Sequence, residues 1–336
     1  MIRWPAEWEK HTAILMVWPH EHSDWCLRLD TVRDTYIEIM KNILRFERML
    51  VIVPDAQEER RIQKRLGETK KGVTFCQIPT DDTWTRDSGP VTVFLDGEPL
   101  LLDFEFNGWG GKFPASQDNR ITALLHRQGV LGNVRLRQPH LVLEGGSIDS
   151  DGCGTLLTTA RCLLNPNRNP EWSREQLETK LAEELGIRRF LWLEHGYLAG
   201  DDTDSHVDIL ARFCSPDTIA YSSCDDPADE HFDALARMAE ELAVFRTPQG
   251  KPWRLVPLPI PAAILDEEGR RLPAGYANFL ILDGAVLVPA YQDPMDAVAQ
   301  ERLAQAFADR EIVGIDCREL IRQGGSLHCA TMQLWV

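Results

Sequence analysis

The chain has 336 residues, 43% of them hydrophobic, and a formal net charge of −16 from 52 acidic against 36 basic residues. That is ample apolar material for a buried core, and the acidity argues against nucleic acid or an anionic membrane as partner, since both select basic surfaces. No apolar run approaches membrane-spanning length, and residues 1–10 lack the apolar region of a secretory signal.

Residues 11–18 predict a buried strand ended by Pro19, and residues 24–46 a helix with Val32, Tyr36, Ile39 and Ile43 on one face. A strand over 49–53 stops at Pro54, a charged helix over 56–66 stops at Gly67, and a strand over 73–78 stops at Pro79. The order then recurs. Strands at 91–95 and 100–104 flank Asp96-Gly97, followed by a helix at 119–128 and a strand at 134–136. Strands at 141–148 and 155–158 precede a helix at 174–185 and a strand at 189–193. Strands at 207–213 and 218–222 precede a helix at 230–245 and a strand at 254–258. Strands at 276–282 and 285–289 precede a helix at 294–307 and a strand at 311–315. Strand, strand, helix, strand thus appears five times without visible sequence identity between units, closed by a C-terminal strand carrying Cys329. No linker separates the units, so a single domain over residues 1–336 is expected.

Eight cysteines are scattered without a C-x-x-C pair, which signals neither a zinc site nor a thioredoxin motif and suits a reducing cytoplasm. One of them, Cys329, follows the glycine pair in Gly324-Gly325-Ser326-Leu327-His328-Cys329, where backbone can pass close to another group. Polar motifs open the other units: Thr83-Trp84-Thr85-Arg86-Asp87, Leu143-Glu144-Gly145-Gly146, Asp204-Ser205-His206-Val207-Asp208 and Tyr276-Ala277-Asn278. From Asp87 to Glu144 is 57 residues, to His206 another 62, to Asn278 another 72 and to Cys329 another 51. One polar residue per unit at a similar phase converges on a common axis if the units are arranged radially.

Chemically, this set holds a cysteine, a histidine and three carboxylates. Strand alternation over 206–208 would put His206 and Asp208 on one face. Glu144, at the end of an apolar run, needs a partner if buried. Carboxylates in excess suit a cationic ligand, and a planar guanidinium binds them in bidentate fashion. Two aspartates gripping it would keep it protonated and electrophilic, a thiolate could attack its carbon, and the histidine could carry protons to leaving ammonia and from water. Two other sets stay open: a Cys-His-Asn arrangement of Cys329, His206 and Asn278, and a metal set of His206, Asp208 and His328.

With these motifs assembled, together with Pro5-Ala6-Glu7-Trp8-Glu9 and Phe106-Asn107-Gly108-Trp109-Gly110-Gly111-Lys112, the chain resembles the agmatine deiminase and bacterial peptidyl-arginine deiminase family of the pentein superfamily. The resemblance runs over nearly the whole chain. It implies a five-bladed α/β propeller of ββαβ units, with no metal or organic cofactor. It implies Cys329 as nucleophile, His206 as general acid/base, Asp87 and Asp208 as guanidinium ligands, and Glu144 as a guanidinium contact that orients the histidine. Trp84 and Trp109 are candidate walls of the substrate channel, and Asp202 and Asn278 candidate substrate contacts. The implied reaction is hydrolysis of agmatine to N-carbamoylputrescine and ammonia. Another guanidine, arginine or peptidyl-arginine, is the alternative substrate, and a non-catalytic pentein the alternative class. The expected partner is a small cationic guanidine, with a homodimer as a compatible assembly. Ser205 departs from the family pattern, which usually has glycine there, and Gly324-Gly325-Ser326 is poorer in glycine than usual. The crowd of Asp81, Asp82, Asp201, Asp202 and Asp204, with only Arg86 and Lys112 as nearby bases, points to agmatine over arginine.

Overall fold

The computed structural model describes residues Met1–Val336 as a mixed α/β chain of five small sheets with helices packed on them. Each sheet repeats one connection: a strand, an antiparallel neighbour, a helix, and a third strand parallel to the second, which is what a helical crossover permits. Ile148–Ser150, Thr155–Thr159 and Arg189–Leu193 form one such set. Ala211–Ser215, Thr218–Ser223 and Arg254–Pro259 form another, and Leu280–Ile281, Ala285–Ala290 and Glu311–Asp316 a third. Val91–Leu95, Glu98–Leu102 and Arg135–Arg137 make the fourth, extended by Ile2–Arg3 at its edge. The remaining sheet joins the chain ends. Met332–Leu334 pairs antiparallel with Ala13–Val17, beside Arg48–Val53 and Val73–Gln77. No helix is long and apolar enough to cross a membrane.

Local sequence explains the helices. Leu29–Ile43 buries Val32, Tyr36, Ile39, Met40 and Ile43 at helical spacing. Ala56–Leu66 starts at Asp55, whose carboxylate accepts from the N–H groups of Gln57 (2.6 Å) and Glu58 (2.9 Å). Arg174–Leu185 starts with a reciprocal Ser173–Gln176 capping box and ends at Gly186. Gly186 has φ 73°, and a Cβ there would lie 2.2 Å from the Ile2 carbonyl oxygen, so only glycine fits.

The elements bearing chemistry differ from the sequence expectation. The first helix starts at Leu29 rather than near residue 24, because the preceding turns tuck Trp25 into the core, where its indole N–H donates to Thr83 Oγ1 at 2.9 Å. The expected strands at 141–148, 207–213 and 276–282 shorten to Ile148–Ser150, Ala211–Ser215 and Leu280–Ile281. Their lead-in residues leave the ladder, with single 3-10 turns at Gly145–Ser147 and Val207–Ile209. Strand alternation therefore does not bring His206 and Asp208 together; the turn at Val207–Ile209 does. Nor is Cys329 on the closing strand. It lies in the turns before Met332–Leu334, where Ala330 N–H donates to Ser326 O and Thr331 N–H to His328 O, both at 3.1 Å.

Candidate active site

Cys329, Asp87, Asp208, Trp84, Trp109 and Asp202 all line one cavity of about 310 Å³. Close backbone approach builds its wall. Gly325 passes under the Trp84 indole, and a Cβ there would meet ring atoms at 2.4–2.9 Å. Trp84 in turn stacks near Trp25, with ring centroids 5.9 Å apart. Trp109 takes a left-handed φ of 55° between Gly108 and Gly110, and this aims its indole N–H at Asp87 Oδ2, 3.0 Å away. It is thus both wall and hydrogen-bond donor.

The cysteine, the histidine and the two aspartates converge. A Cβ on Gly146 would lie 2.7 Å from His206 Nδ1, 2.9 Å from Asp87 Oδ1 and 3.0 Å from Asp208 Oδ2. Asp208 Oδ2 also accepts from the Cys329 thiol at 3.4 Å and contacts His328 Nδ1 at 2.8 Å. Asp208 Oδ1 is buried and makes no protein hydrogen bond. An unpaired buried carboxylate oxygen is costly, and a cation in the cavity would satisfy it.

Burial and the crowding of charge set the protonation states. Burial, helped by the Asp208 and Glu144 carboxylates, pushes Asp87 up to about 6 against the opposing pull of His206. Burial and the carboxylates of Asp208 and Asp87 push the Cys329 thiol well up. Burial works against charge on His206, but Asp87, Cys162 and Glu144 outweigh it and hold the imidazole well above its ordinary value. Burial alone would raise Asp208; the His328 and His206 contacts overcome it and hold the carboxyl low. A carboxylate, an imidazolium and a neutral thiol therefore share the site before any cation arrives.

Glu144 is fully buried but does not line the cavity. Both of its oxygens accept from Arg168 Nε, at 3.1 and 3.0 Å, and Oε2 lies 3.9 Å from His206 Nε2. In this arrangement Glu144 neighbours the histidine and is anchored by Arg168. Asn278 also sits behind the wall. It is buried off the cavity wall and touches Cys329 instead. Asp202 does line the cavity, and burial with the nearby Asp201 raises its carboxyl.

Sequence reading missed three groups. Arg168 ties Glu144 to the loop before His206, pairing also with Asp204 and donating to Thr203 O at 2.9 Å. In that loop Asp204 and Ser205 have φ of 67° and 65°, which explains why glycine would suit position 205. Glu7 gathers Arg86 (2.9 Å), His328 Nε2 (2.8 Å), Gln333 (3.1 Å) and Arg212 behind the cysteine. Arg86 is thus part of a buried network. Arg270, Arg271 and Arg322 also reach the cavity wall from distant sequence, so Arg86 and Lys112 are not its nearest bases. Each pairs with acids: Arg270 with Asp266, Arg271 with Asp229, Arg322 with Glu267. With six aspartates and three arginines in its wall, the cavity is net acidic.

Ligand atoms of Glu144, Cys162 and His206 lie within 4.8 Å of one another, as do those of His11, Glu47 and Asp283. The first set resembles a metal cage, but the Arg168 cation already occupies both Glu144 oxygens. The set His206, Asp208 and His328 does not form such a cage, since His328 is held between Asp208 and Glu7.

A buried cysteine beside aspartates at the wall of one cavity, on five small mixed sheets, is the arrangement that comparison with known proteins places. The family model for Porphyromonas-type peptidyl-arginine deiminases matches residues 3–334, and the chain belongs to that family. It is 34% identical to the agmatine deiminase of Pseudomonas fluorescens, over 98% of this chain and 94% of that one. The structure of a C. jejuni agmatine deiminase cysteine-to-serine variant with substrate bound superimposes with TM-score 0.93 at 38% identity, covering all of this chain and 97% of the other. A Porphyromonas gingivalis protein provisionally described as an arginine deiminase gives TM-score 0.95 at 47% identity, covering all of this chain and 98% of that one.

Proposed function

We propose that the chain hydrolyses agmatine to N-carbamoylputrescine and ammonia through a covalent thiouronium on Cys329. The observation that carries this reading is that Cys329, Asp208 and Asp87 line a net-acidic cavity, with His206 packed behind Asp87 and Asp208 at Gly146. The guanidinium enters as a cation between Asp87 and Asp208 and offsets the carboxylates that keep the thiol protonated, so the thiol ionises in the complex and its proton passes to bulk water. Sulfur bonds to the central carbon. One amino nitrogen takes a proton from the His206 imidazolium, its C–N bond breaks, and ammonia leaves. Water then attacks the thiouronium carbon and gives one proton to His206; the C–S bond breaks, the remaining hydroxyl proton passes to bulk water, and the thiolate and the neutral ureido product separate, the thiol then regaining a proton from water. The Glu144 carboxylate, anchored by Arg168 and 3.9 Å from His206 Nε2, favours the charged imidazole together with Asp87.

The acidic wall favours a dication without a carboxylate, because each wall arginine is already paired. The agmatine deiminases among the relatives support the same substrate. On this reading the five sheets are blades around one axis in a single pentein domain, and Met332–Leu334 closes the ring on Ala13–Val17. It also keeps the chain in the cytoplasm, a compartment that suits its eight free cysteines.

Ammonia release from agmatine, arginine and a blocked arginine peptide, with Cys329→Ala as the blank, tests both parts. Agmatine should give the highest kcat/KM and the alanine variant none. If arginine or the peptide equals agmatine, the substrate assignment falls; normal turnover in the alanine variant removes the chemistry.

A further inference from the structure

Asn278 lies just before Leu280–Ile281, between Ala277 and Phe279, both fully buried. Its Oδ1 accepts two backbone N–H groups, from His328 at 3.0 Å and from Cys329 at 3.3 Å. Two donors on one atom identify that atom as the amide oxygen, because an NH₂ group could accept neither. The amide nitrogen is thereby forced to the other side. There it donates toward Cys329 Sγ at 3.1 Å and, at 3.4 Å, toward the Asp208 carbonyl. The side chain is 3% exposed and is not part of the cavity wall.

We propose that Asn278 is a further catalytic residue, whose Nδ2–H hydrogen-bonds the Cys329 sulfur and stabilises it as thiolate both in attack and when it departs from the thiouronium. This rests on Cys329 being the nucleophile. The need for such a donor follows from the surroundings. Asp208 and Asp87 oppose negative charge on the sulfur, and burial opposes it further. The substrate cation relieves that only while the cation is bound; on its release the developing thiolate again faces Asp208 Oδ2 at 3.4 Å. A cationic side chain beside the sulfur would solve the problem but would repel the guanidinium. A neutral amide donates to the thiolate without adding charge to the site. Its two backbone bonds fix its direction, so no reorganisation is needed as charge develops. The same bonds place the sulfur, because they hold the backbone of Cys329 and of the residue before it.

The test is the pH dependence of Cys329 alkylation by iodoacetamide, a neutral reagent that needs no guanidine site, read by peptide mass, alongside agmatine kinetics. Asn278→Asp keeps an oxygen for the two backbone N–H groups and turns an oxygen toward the sulfur. Asn278→Ser ends in a hydroxyl that stops short of the sulfur, and stands in should the aspartate variant not fold. Loss of a hydrogen bond to a charged group of ordinary strength should move the alkylation midpoint upward by about one to two pH units in the serine variant, and further in the aspartate variant, whose new carboxylate also opposes the thiolate. kcat for agmatine should fall by about tenfold to a hundredfold, since each pH unit is a decade. KM should stay within a few-fold of the parent, because the side chain does not line the cavity. An unshifted midpoint in a folded variant overturns the proposal, and so does a raised KM with unchanged kcat, which would make Asn278 a substrate contact. If the parent alkylates at Cys329 but does not turn over agmatine, the substrate reading fails while the alkylation midpoints still decide the role of the amide.

Discussion

Replacing Asp208 with asparagine separates two effects that a simple loss of activity would merge. Asp208 is fully buried; its Oδ2 contacts His328 Nδ1 at 2.8 Å and accepts the Cys329 thiol at 3.4 Å, while Oδ1 makes no protein hydrogen bond. The amide keeps the shape and removes the charge. A guanidinium would then be short of one buried carboxylate, and breaking a buried pair costs about 3–5 kcal/mol. At about 1.4 kcal/mol per decade, kcat/KM for agmatine should fall by roughly two to three and a half powers of ten. The cysteine should move the other way. The Asp208 charge is one of the groups that push the Cys329 thiol up, so its removal should lower the pH midpoint for iodoacetamide alkylation. A carboxylate this close acts on a neighbour by about one pH unit or more. Steady-state kinetics and alkylation profiles on the same preparation give both numbers. Near-parent efficiency would remove Asp208 from the guanidinium site. Lost turnover with an alkylation midpoint that is unchanged or raised would refute the electrostatic reasoning.

Two further outcomes follow from the same geometry. Gly146→Ala places a Cβ 2.7 Å from His206 Nδ1 and 2.9 Å from Asp87 Oδ1, so turnover should drop by at least about a hundredfold while the melting temperature, measured by calorimetry, falls only by what overpacking of about 1–3 kcal/mol produces. An active alanine variant would show that these groups do not act together. Asp82 also lines the cavity, and burial with the nearby Asp118 carboxylate pushes it up to about 8. It is neutral below that pH and negative above, so KM for agmatine should fall as pH rises through about 8 in the parent and stay flatter in Asp82→Asn; parallel curves would exclude it as a ligand for the dication.

The sequence alone determined the repeating order of elements, because hydrophobic periodicity and helix caps are local. Ala56–Leu66 and Arg174–Leu185 were legible to the residue, and the structure shows the local reason: Asp55 and Ser173 cap their first turns, and glycines at 67 and 186 end them. It also singled out Asp87, Glu144, His206, Asp208 and Cys329, as polar groups embedded in apolar or glycine-rich segments. What it could not determine was how they meet. Residues 141–148 and 207–213 look like strands because their apolar side chains are buried, yet the backbone turns to carry Glu144, His206 and Asp208 inward, a choice made by partners far along the chain. Asn278 illustrates the limit most clearly. Nothing local distinguishes it from a substrate contact, and only the approach of the Ser326–Thr331 turns, 50 residues away at His328, supplies the two N–H groups that orient its amide toward the sulfur. Glu7, Arg168 and Arg212 escaped for the same reason. A buried charge is recognisable only by the opposite charges packed against it, and those come together when the chain closes on itself.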